Sequence, residues 1–190
     1  MAFYFENFPL VSYDVKKNGK LENVTNIMLR YKINAVVKNF VSPYYDYSVE
    51  DGERADTLAF KIYEDYTLDW LIYSINDIID PMFDWPMSQN TLEKYISKKY
   101  GSIATAQATV HEYRKILNKQ SVLFDGTIVP RKTLVIDETT YNTLSEPDRE
   151  SVSKYTYETE LNDNKRQIKL ISEEFVPDIL SEVRDIFNGQ

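Results

Sequence analysis

Few side chains in this sequence could carry out chemistry, and their types and spacing do not favour it. The chain has 190 residues, no cysteine and a single histidine, His111. These counts exclude thiol catalysis, thiolate zinc sites and every site that needs two imidazoles. The chain has five glycines, and no two of them are close enough to form a glycine-rich turn that binds phosphate groups. We therefore predict no catalytic, metal-binding or cofactor-binding residue.

Three groups of polar residues could still take part in chemistry, and each has an ordinary structural interpretation. His111 has no nucleophile near it in the sequence, so we interpret it as a surface or interface histidine. Asp77, Asp80 and Asp84 could bind a cation or act as acid and base, but aspartate beside proline is typical of turns. Three basic side chains indicate a solvated helix face in a chain of net charge −8: Lys94, Lys98 and Lys99.

The charge balance and the hydropathy argue against nucleic-acid and membrane partners. The 30 acidic side chains outnumber the 22 basic ones, whereas a protein that binds duplex DNA needs clustered lysine and arginine. No stretch approaches the roughly 20 apolar residues of a membrane span. The first ten residues lack the basic region of a secretory signal. We expect a soluble protein that stays in the compartment where it is made.

The elements that must position any functional residue are clearest between residues 44 and 87. Tyr45, Tyr47 and Val49 alternate with polar residues, which is typical of a half-buried strand, and a turn at Asp51-Gly52 ends it. Residues 85–87 have the pattern of a short returning strand. With two helices between these strands, the pattern predicts a strand–helix–helix–strand (βααβ) unit.

Capping residues and apolar spacing predict the two helices of this unit. Asp56 or Thr57 can cap the first helix, because a side-chain oxygen there can accept from an amide of the first turn. Thr67 is expected to cap the second helix, and Asn76 to end it. Their inner faces carry apolar residues at helical spacing: Leu58 and Ile62 in the first helix, and Leu68, Leu71, Ile72 and Ile75 in the second.

The pattern outside this unit predicts flanking strands, a hairpin and a C-terminal helix. Ser88 begins a helix that Gly101 ends, and Asp125-Gly126 between apolar runs predicts a β-hairpin. Residues 21–40, 103–117 and 153–166 fit more than one element, residues 137–151 read as a loop, and residues 175–187 predict an amphipathic helix. The predicted class is α+β. The predicted division is an N-terminal extended segment (1–43), the βααβ module with its following helix (44–101) and a mixed region (102–190).

Tyrosine is abundant, with 15 residues alongside 9 phenylalanines and 2 tryptophans. Tyrosine offers a large contact area and a polar tip, a combination that suits protein interfaces. The same side chains could instead lie half-buried around the edges of an irregular fold, and both interpretations stay open. The tyrosines that suggest an interface lie in and around the βααβ unit: Tyr44, Tyr45, Tyr47, Tyr63, Tyr66 and Tyr73.

The βααβ unit resembles the lysin motif (LysM), a small module often used to bind N-acetylglucosamine polymers. The usual order of strand, Gly-Asp-Thr-Leu and helix is present, with Glu53-Arg54-Ala55 separating Gly52 from Asp56. This resemblance implies a LysM-like fold for the unit and makes glycan binding the alternative function. It rests on the following residues: Tyr47–Gly52, Asp56–Leu58, Ile62-Tyr63, Trp70-Leu71 and Asn76.

A wider resemblance covers most of the chain. The sequence is similar to the small baseplate wedge subunit of contractile-tailed bacteriophages, although residues 102–164 match only loosely. The opening segment Phe8–Tyr13 and the closing segment Lys165–Ile171 belong to the pattern. The matching central segments are Gly52–Ala59, Tyr63–Asp65, Leu68–Ile72, Asn76–Pro81, Trp85–Ser88 and Lys99–Gly101.

This resemblance implies a structural protein with no enzymatic activity and no cofactor. Such a protein would use its LysM-like core to join neighbouring wedges into a six-fold baseplate. It would contact other wedge proteins, the wedge's helical core bundle and the sheath-initiating subunit, in several copies per virion, after assembly in the host cytoplasm. The residues expected in the core or interface of the module are Tyr45, Tyr47, Gly52, Asp56, Thr57, Leu58, Ile62, Tyr63, Trp70, Leu71, Asn76, Pro81 and Trp85.

Overall fold

The computed structural model describes Phe5, residues 8–29 and residues 44–188, and it confirms the predicted α+β class. The open prediction for residues 21–40 lies largely outside these ranges. The strands are β1 Leu10–Tyr13, β2 Glu22–Thr25, β3 Tyr44–Ser48, β4 Val110–Asn118, β5 Ser121–Val122, β6 Ile128–Val129, β7 Lys132–Ile136, β8 Arg149–Ser153 and β9 Gln167–Ile171. The α-helices are α1 Ala55–Tyr63, α2 Asp69–Ile75, α3 Pro81–Asp84, α4 Gln89–Tyr100, α5 Ile103–Ala108, α6 Glu138–Thr143, α7 Lys154–Asn164 and α8 Val176–Asn188.

The chain forms two compact units, and the first is discontinuous in sequence. Unit 1 consists of Met1–Pro86 together with Lys165–Gln190, and unit 2 consists of Met87–Asn164. Unit 2 is therefore inserted between two parts of unit 1. These boundaries differ from those of the predicted segments 1–43, 44–101 and 102–190. The division of the chain into those three segments stays a prediction.

The closing strand of unit 1 comes from a part of the chain that the sequence pattern did not indicate. β3 pairs antiparallel with β9, in a register that runs from Tyr44 opposite Ile171 to Ser48 opposite Gln167. The predicted strand at residues 85–87 was wrong. The Asp80 side chain accepts from the amide of Met82 at 3.0 Å and starts the short helix α3, and Pro86 has no N–H to give to a sheet.

Two helix starts in unit 1 also differ from the prediction. α1 follows Arg54, whose side chain makes no capping hydrogen bond, and Asp56 lies inside the first turn. Before α2, the Asp65 carboxylate accepts from the amide of Thr67 at 2.9 Å, so Asp65 is the capping residue. The turn that follows is a 3₁₀ helix, and α2 begins only at Asp69. Both errors arose because several oxygen-bearing side chains compete for one helix start.

The core of unit 1 lies between the sheet of β3 and β9 and the apolar faces of the helices. Leu58 of α1, Leu71 of α2 and Leu170 of β9 are fully buried there. α8 covers the same core with Val176 and Val183, which confirms the predicted amphipathic helix. The side chain of Phe187, at the end of the predicted helix, lies outside the described residues.

Unit 2 contains a three-stranded antiparallel sheet in the order β7–β4–β8 and a separate hairpin of β5 and β6. The hairpin at Asp125-Gly126 is confirmed, as is the helix that follows Ser88 and ends at Gly101 with φ of 87°. Residues 103–117, which fitted either element, form α5 and most of β4. Residues 153–166 consist mainly of the helix α7.

The predicted loop at residues 137–151 was wrong, because this stretch contains α6 and the first part of β8. The Asp137 side chain accepts from the amide of Thr140 at 3.1 Å and caps α6. β8 then pairs with β4, with Arg149 opposite Lys115. The polar composition of the stretch concealed both elements, since a short exposed helix and an edge strand need few apolar residues.

Candidate interface surfaces

Two of the predicted residues cover the open edge of β9. In the β3–β9 pair, the backbone groups of Lys169 and Ile171 point away from β3. The Asn76 carboxamide binds both groups of Lys169, donating to its carbonyl at 2.9 Å and accepting from its amide at 2.8 Å. The Tyr63 hydroxyl does the same at Ile171, donating at 3.1 Å and accepting at 3.2 Å. These side chains take the place of a third strand and block that edge.

Asn76 also joins this edge to the end of α2. Its Nδ2 donates to the carbonyl of Ile72 at 2.8 Å, which satisfies one of the last acceptors of the helix. Asn76 itself has φ of −92°, and the left-handed conformation expected near this helix end occurs at Asp77, with φ of 54°. The residue therefore acts as a structural clamp between α2 and β9.

Tyr63 makes unit 1 sensitive to high pH. It is 7% exposed, and burial raises the pKa of its hydroxyl from 10 to about 12. Because the pKa is higher in the folded state, the contribution of Tyr63 to the free energy of unfolding is complete below about pH 10 and is lost as the pH rises through 12. We expect up to about 2 kcal/mol of the free energy of unfolding to disappear over this range.

Denaturant unfolding between pH 9 and pH 12, compared with that of Tyr63→Phe, measures this effect. The variant should start about 1–2 kcal/mol less stable at neutral pH, because two backbone groups of Ile171 lose their partner. Its stability should then fall less steeply above pH 10. Equal slopes for the two chains would show that Tyr63 does not carry the pH dependence.

The residues that separate Gly52 from the first helix have a structural role of their own. The Tyr47 hydroxyl donates to the Glu53 carboxylate at 3.0 Å, and the Lys61 ammonium donates to both groups, at 3.1 and 3.3 Å. The hydrogen bond from Lys61 to Tyr47 and the nearby Glu53 charge raise the pKa of Lys61. Trp85 Nε1 donates to the Glu53 carbonyl at 2.9 Å. This network ties β3, α1 and the segment after α3 together.

The other predicted residues divide between the core and the surface of unit 1. Trp70 is 8% exposed, and Trp85 packs edge-on against Tyr73 with ring centroids 5.7 Å apart. Leu58 and Leu71 are fully buried, while Ile62 and Asp56 are half-buried, with Asp56 paired to Arg54 at 2.8 Å. Four predicted residues are exposed and are not brought into the core: Tyr45, Gly52, Thr57 and Pro81.

The first exposed apolar surface is the hairpin of β1 and β2, called here the N-terminal hairpin (residues 10–28). Leu10 pairs opposite Thr25, and within the part of the chain that the structure describes these two strands pair only with each other. Every side chain of β1 is exposed, and Met28 is 88% exposed. The large apolar side chains on this surface are Leu10, Val11, Tyr13, Val15, Leu21, Ile27 and Met28. Such a surface is typical of a site of protein contact.

The second exposed apolar surface is the hairpin of β5 and β6 in unit 2, called here the basic hairpin (residues 119–132). Val122, Leu123, Phe124 and Ile128 are all more than half exposed, and Phe124 projects fully into solvent. Sequence reasoning predicted this hairpin but not its use as a surface. The signal that was missed is a run of apolar residues on both sides of the turn, without the alternation of a half-buried strand.

The polar candidates have structural roles. The ring of His111 stacks on Tyr157, with centroids 3.7 Å apart. Asp80 caps α3, and the Asp84 carboxylate accepts from the amide of Asp80 at 3.0 Å. Lys99 pairs with the buried Glu158 at 2.7 Å. Among the residues that the structure describes, no group of three or more acidic or histidine side chains is placed to hold a metal ion.

No helix in the described ranges is long and apolar enough to cross a membrane. The chain is similar to known proteins over nearly its whole length. A family model described as base plate wedge protein 53 matches residues 1–186, nearly the whole chain. The chain belongs to this family. The resemblance to the baseplate wedge subunits of contractile-tailed bacteriophages is therefore confirmed.

The base plate wedge protein 53 family is represented among curated proteins by baseplate wedge protein gp53 of Enterobacteria phage T4. That protein is 26% identical to this chain over 110 residues, which make up 57% of this chain and 55% of the relative. The match thus spans about half the length of the curated relative. Membership of the base plate wedge protein 53 family identifies a component of a phage baseplate and supports the prediction of a structural protein. The likeness to a lysin motif stays an interpretation.

Proposed function

We propose that this chain joins neighbouring wedges into a six-fold tail baseplate. The observation that carries the proposal is the exposed apolar surface of the N-terminal hairpin, in a chain of the base plate wedge protein 53 family. A two-stranded hairpin with one strand entirely exposed gains little stability from its own contacts. Docking on a neighbouring subunit would bury this surface and supply that stability.

On this proposal, the partners are other wedge proteins, including the wedge's helical core bundle, and the sheath-initiating subunit. The chain would be assembled in the host cytoplasm and retained in several copies in the virion. Unit 1 would act as a LysM-like scaffold, in which β3, α1 and α2 precede unit 2 and β9 follows it. The side chains that block the outer edge of β9 favour contacts through the hairpins rather than through that edge.

Complementation of a phage that lacks this gene tests the proposal. A chain with Leu10→Asp and Leu21→Asp should yield at least about 100-fold fewer infectious particles, because two carboxylates placed in an apolar contact cost about 3 kcal/mol or more. Separated wedges should accumulate in place of complete baseplates. Leu161→Asp on α7 is the matched control, since Leu161 is exposed and lies outside both hairpins. Normal baseplates from the double variant would refute the role of the N-terminal hairpin.

Glycan binding is the alternative, and the order of β3, α1, α2 and β9 is the observation that favours it. The side chains of the insertion after Gly52 are engaged within the unit, with Glu53 held by Tyr47 and Lys61, and Arg54 by Asp56. We therefore expect the isolated chain to stay in the supernatant in a peptidoglycan pull-down. Saturable binding to peptidoglycan would reverse the order of the two hypotheses.

A further inference from the structure

The basic hairpin is held together by hydrogen bonds of its own backbone. The amide of Leu123 donates to the carbonyl of Thr127 at 2.8 Å, and the amide of Gly126 donates to the carbonyl of Leu123 at 2.9 Å. Among the described residues, β5 and β6 pair only with each other. The turn therefore holds Phe124 at its tip with the ring fully in solvent. A rigid aromatic anchor presented in this way loses little conformational entropy on binding.

The charge of this hairpin is opposite to that of the rest of the chain. Residues 119–132 contain three basic side chains and one acidic side chain, a net charge of +2, which leaves −10 on the remainder of a chain of total charge −8. Arg131 pairs with Glu150. Lys119 and Lys132 are exposed and form no ion pair with any residue that the structure describes. The hairpin thus combines an apolar tip with two available cations.

The exposed face of α8 carries negative charge, opposite to the charge of the basic hairpin. Carboxylates three or four residues apart form a stripe that starts two residues before the helix: Glu174, Asp178, Glu182 and Asp185. All four are exposed, and none forms an ion pair within the described part of the chain. Ile186, which is 44% exposed, follows Glu182 by four residues and adds an apolar contact at the end of the stripe. Attraction between opposite charges favours a contact between this face and the basic hairpin of another molecule.

We infer that the basic hairpin of one copy docks on the α8 face of a second copy. This inference rests on the proposed function, which places several copies of the chain in a six-fold assembly. The contact joins two different surfaces, so each copy offers a hairpin to one neighbour and a helix to the other. Contacts of this kind close into a ring when the rotation between neighbours fits the symmetry. The acidic remainder of the chain makes nucleic acid and anionic lipid poor alternatives.

Photo-cross-linking in assembled baseplates tests the inference. With benzoylphenylalanine in place of Phe124, we expect an adduct of twice the chain mass, with the cross-link mapping to residues 173–188. The same probe at position 161, which is exposed outside both surfaces, should give no such adduct. Lys119→Glu with Lys132→Glu should reduce the adduct about tenfold, and Glu182→Lys with Asp185→Lys in the same chain should restore it.

The outcomes separate this inference from the function on which it rests. An adduct joining Phe124 only to a different baseplate protein, to nucleic acid or to lipid would overturn the inference and leave the proposed function standing. An undiminished adduct in the Lys119→Glu, Lys132→Glu chain would also overturn it. Absence of the chain from purified baseplates would overturn both.

Discussion

A chain that ends at Asn164 should show no cooperative unfolding of unit 1. The truncation removes β9 and α8, and with them five buried apolar side chains: Ile168, Leu170, Ile171, Val176 and Val183. At about 1.5–3 kcal/mol for each buried side chain, the loss is about 7–15 kcal/mol, which is comparable to the whole stability of a small domain. Both tryptophans of the chain, Trp70 and Trp85, lie in unit 1, so their fluorescence during urea unfolding reports on this unit alone.

The matched control removes unit 2 instead of the closing segment. Residues 87–164 are replaced by a short Gly-Ser linker between Pro86 and Lys165. The two ends to be joined lie close together in unit 1, since Lys165 Nζ donates to the carbonyl of Phe83 at 2.5 Å. The two ends of the removed unit 2 are also close to each other, since Asn162 accepts from the amide of Met87 at 2.7 Å. We expect this shortened chain to keep a cooperative transition. A cooperative unfolding transition in the chain that ends at Asn164 would contradict the assignment of β9 as the closing strand. Loss of the cooperative transition in the control would contradict it as well.

Trp70→Ala should lower the free energy of unfolding of unit 1 by about 3–5 kcal/mol. Trp70 is 8% exposed and belongs to the same buried cluster as Leu71 and Leu170, so its truncation leaves a cavity that the rigid core can fill only in part. Denaturant unfolding followed by the fluorescence of the remaining Trp85 or by circular dichroism measures the change. The expected loss is large enough to populate the unfolded form at 37 °C in a protein of ordinary stability.

Phe60→Ala provides the comparison for Trp70→Ala. Phe60 is also an aromatic residue on a helix of unit 1, but it is 58% exposed. Its removal should change the free energy of unfolding by no more than about 0.5 kcal/mol. A loss of less than about 1 kcal/mol for Trp70→Ala would mean that this side chain contacts a partner or solvent rather than the core.

Local signals in the sequence predicted β3, α1, α2 and α8 of unit 1 but not how the unit closes. The alternation at Tyr45 and Tyr47 and the helical spacing of Leu58 and Ile62 depend on near neighbours, and both elements occur where they were expected. The pairing of β3 with β9 joins residues on either side of an inserted unit. Nothing in the local pattern specifies which distant strand completes a sheet, and β9 lies beyond the whole of unit 2 in the sequence.

The polar parts of unit 2 were harder to predict, for a physical reason. α7 carries little apolar periodicity and buries the polar Glu158 and Asn162, each held by hydrogen bonds. The Asn162 carboxamide binds both backbone groups of Met87, and Lys99 pairs with Glu158. Periodicity methods detect apolar faces, so a helix that packs through paired polar groups escapes them.

The exposed surfaces could be anticipated only in part. The abundance of tyrosine suggested an interface, yet Tyr47 and Tyr63 serve inside unit 1, one in the network around Glu53 and the other at the edge of β9. The two most exposed apolar side chains of the described residues, Phe124 and Met28, each belong to one of the hairpins. Composition gives the number of aromatic side chains, but only the folded chain shows which of them remain uncovered.

A density map of the assembled tail baseplate tests the central claim most directly. The account predicts one copy of the chain at each junction between neighbouring wedges, with residues 10–28 buried against a subunit of the adjacent wedge. It also predicts that β9 pairs with β3 of the same copy. A map in which the N-terminal hairpin faces solvent, or in which each copy contacts a single wedge alone, would contradict the account.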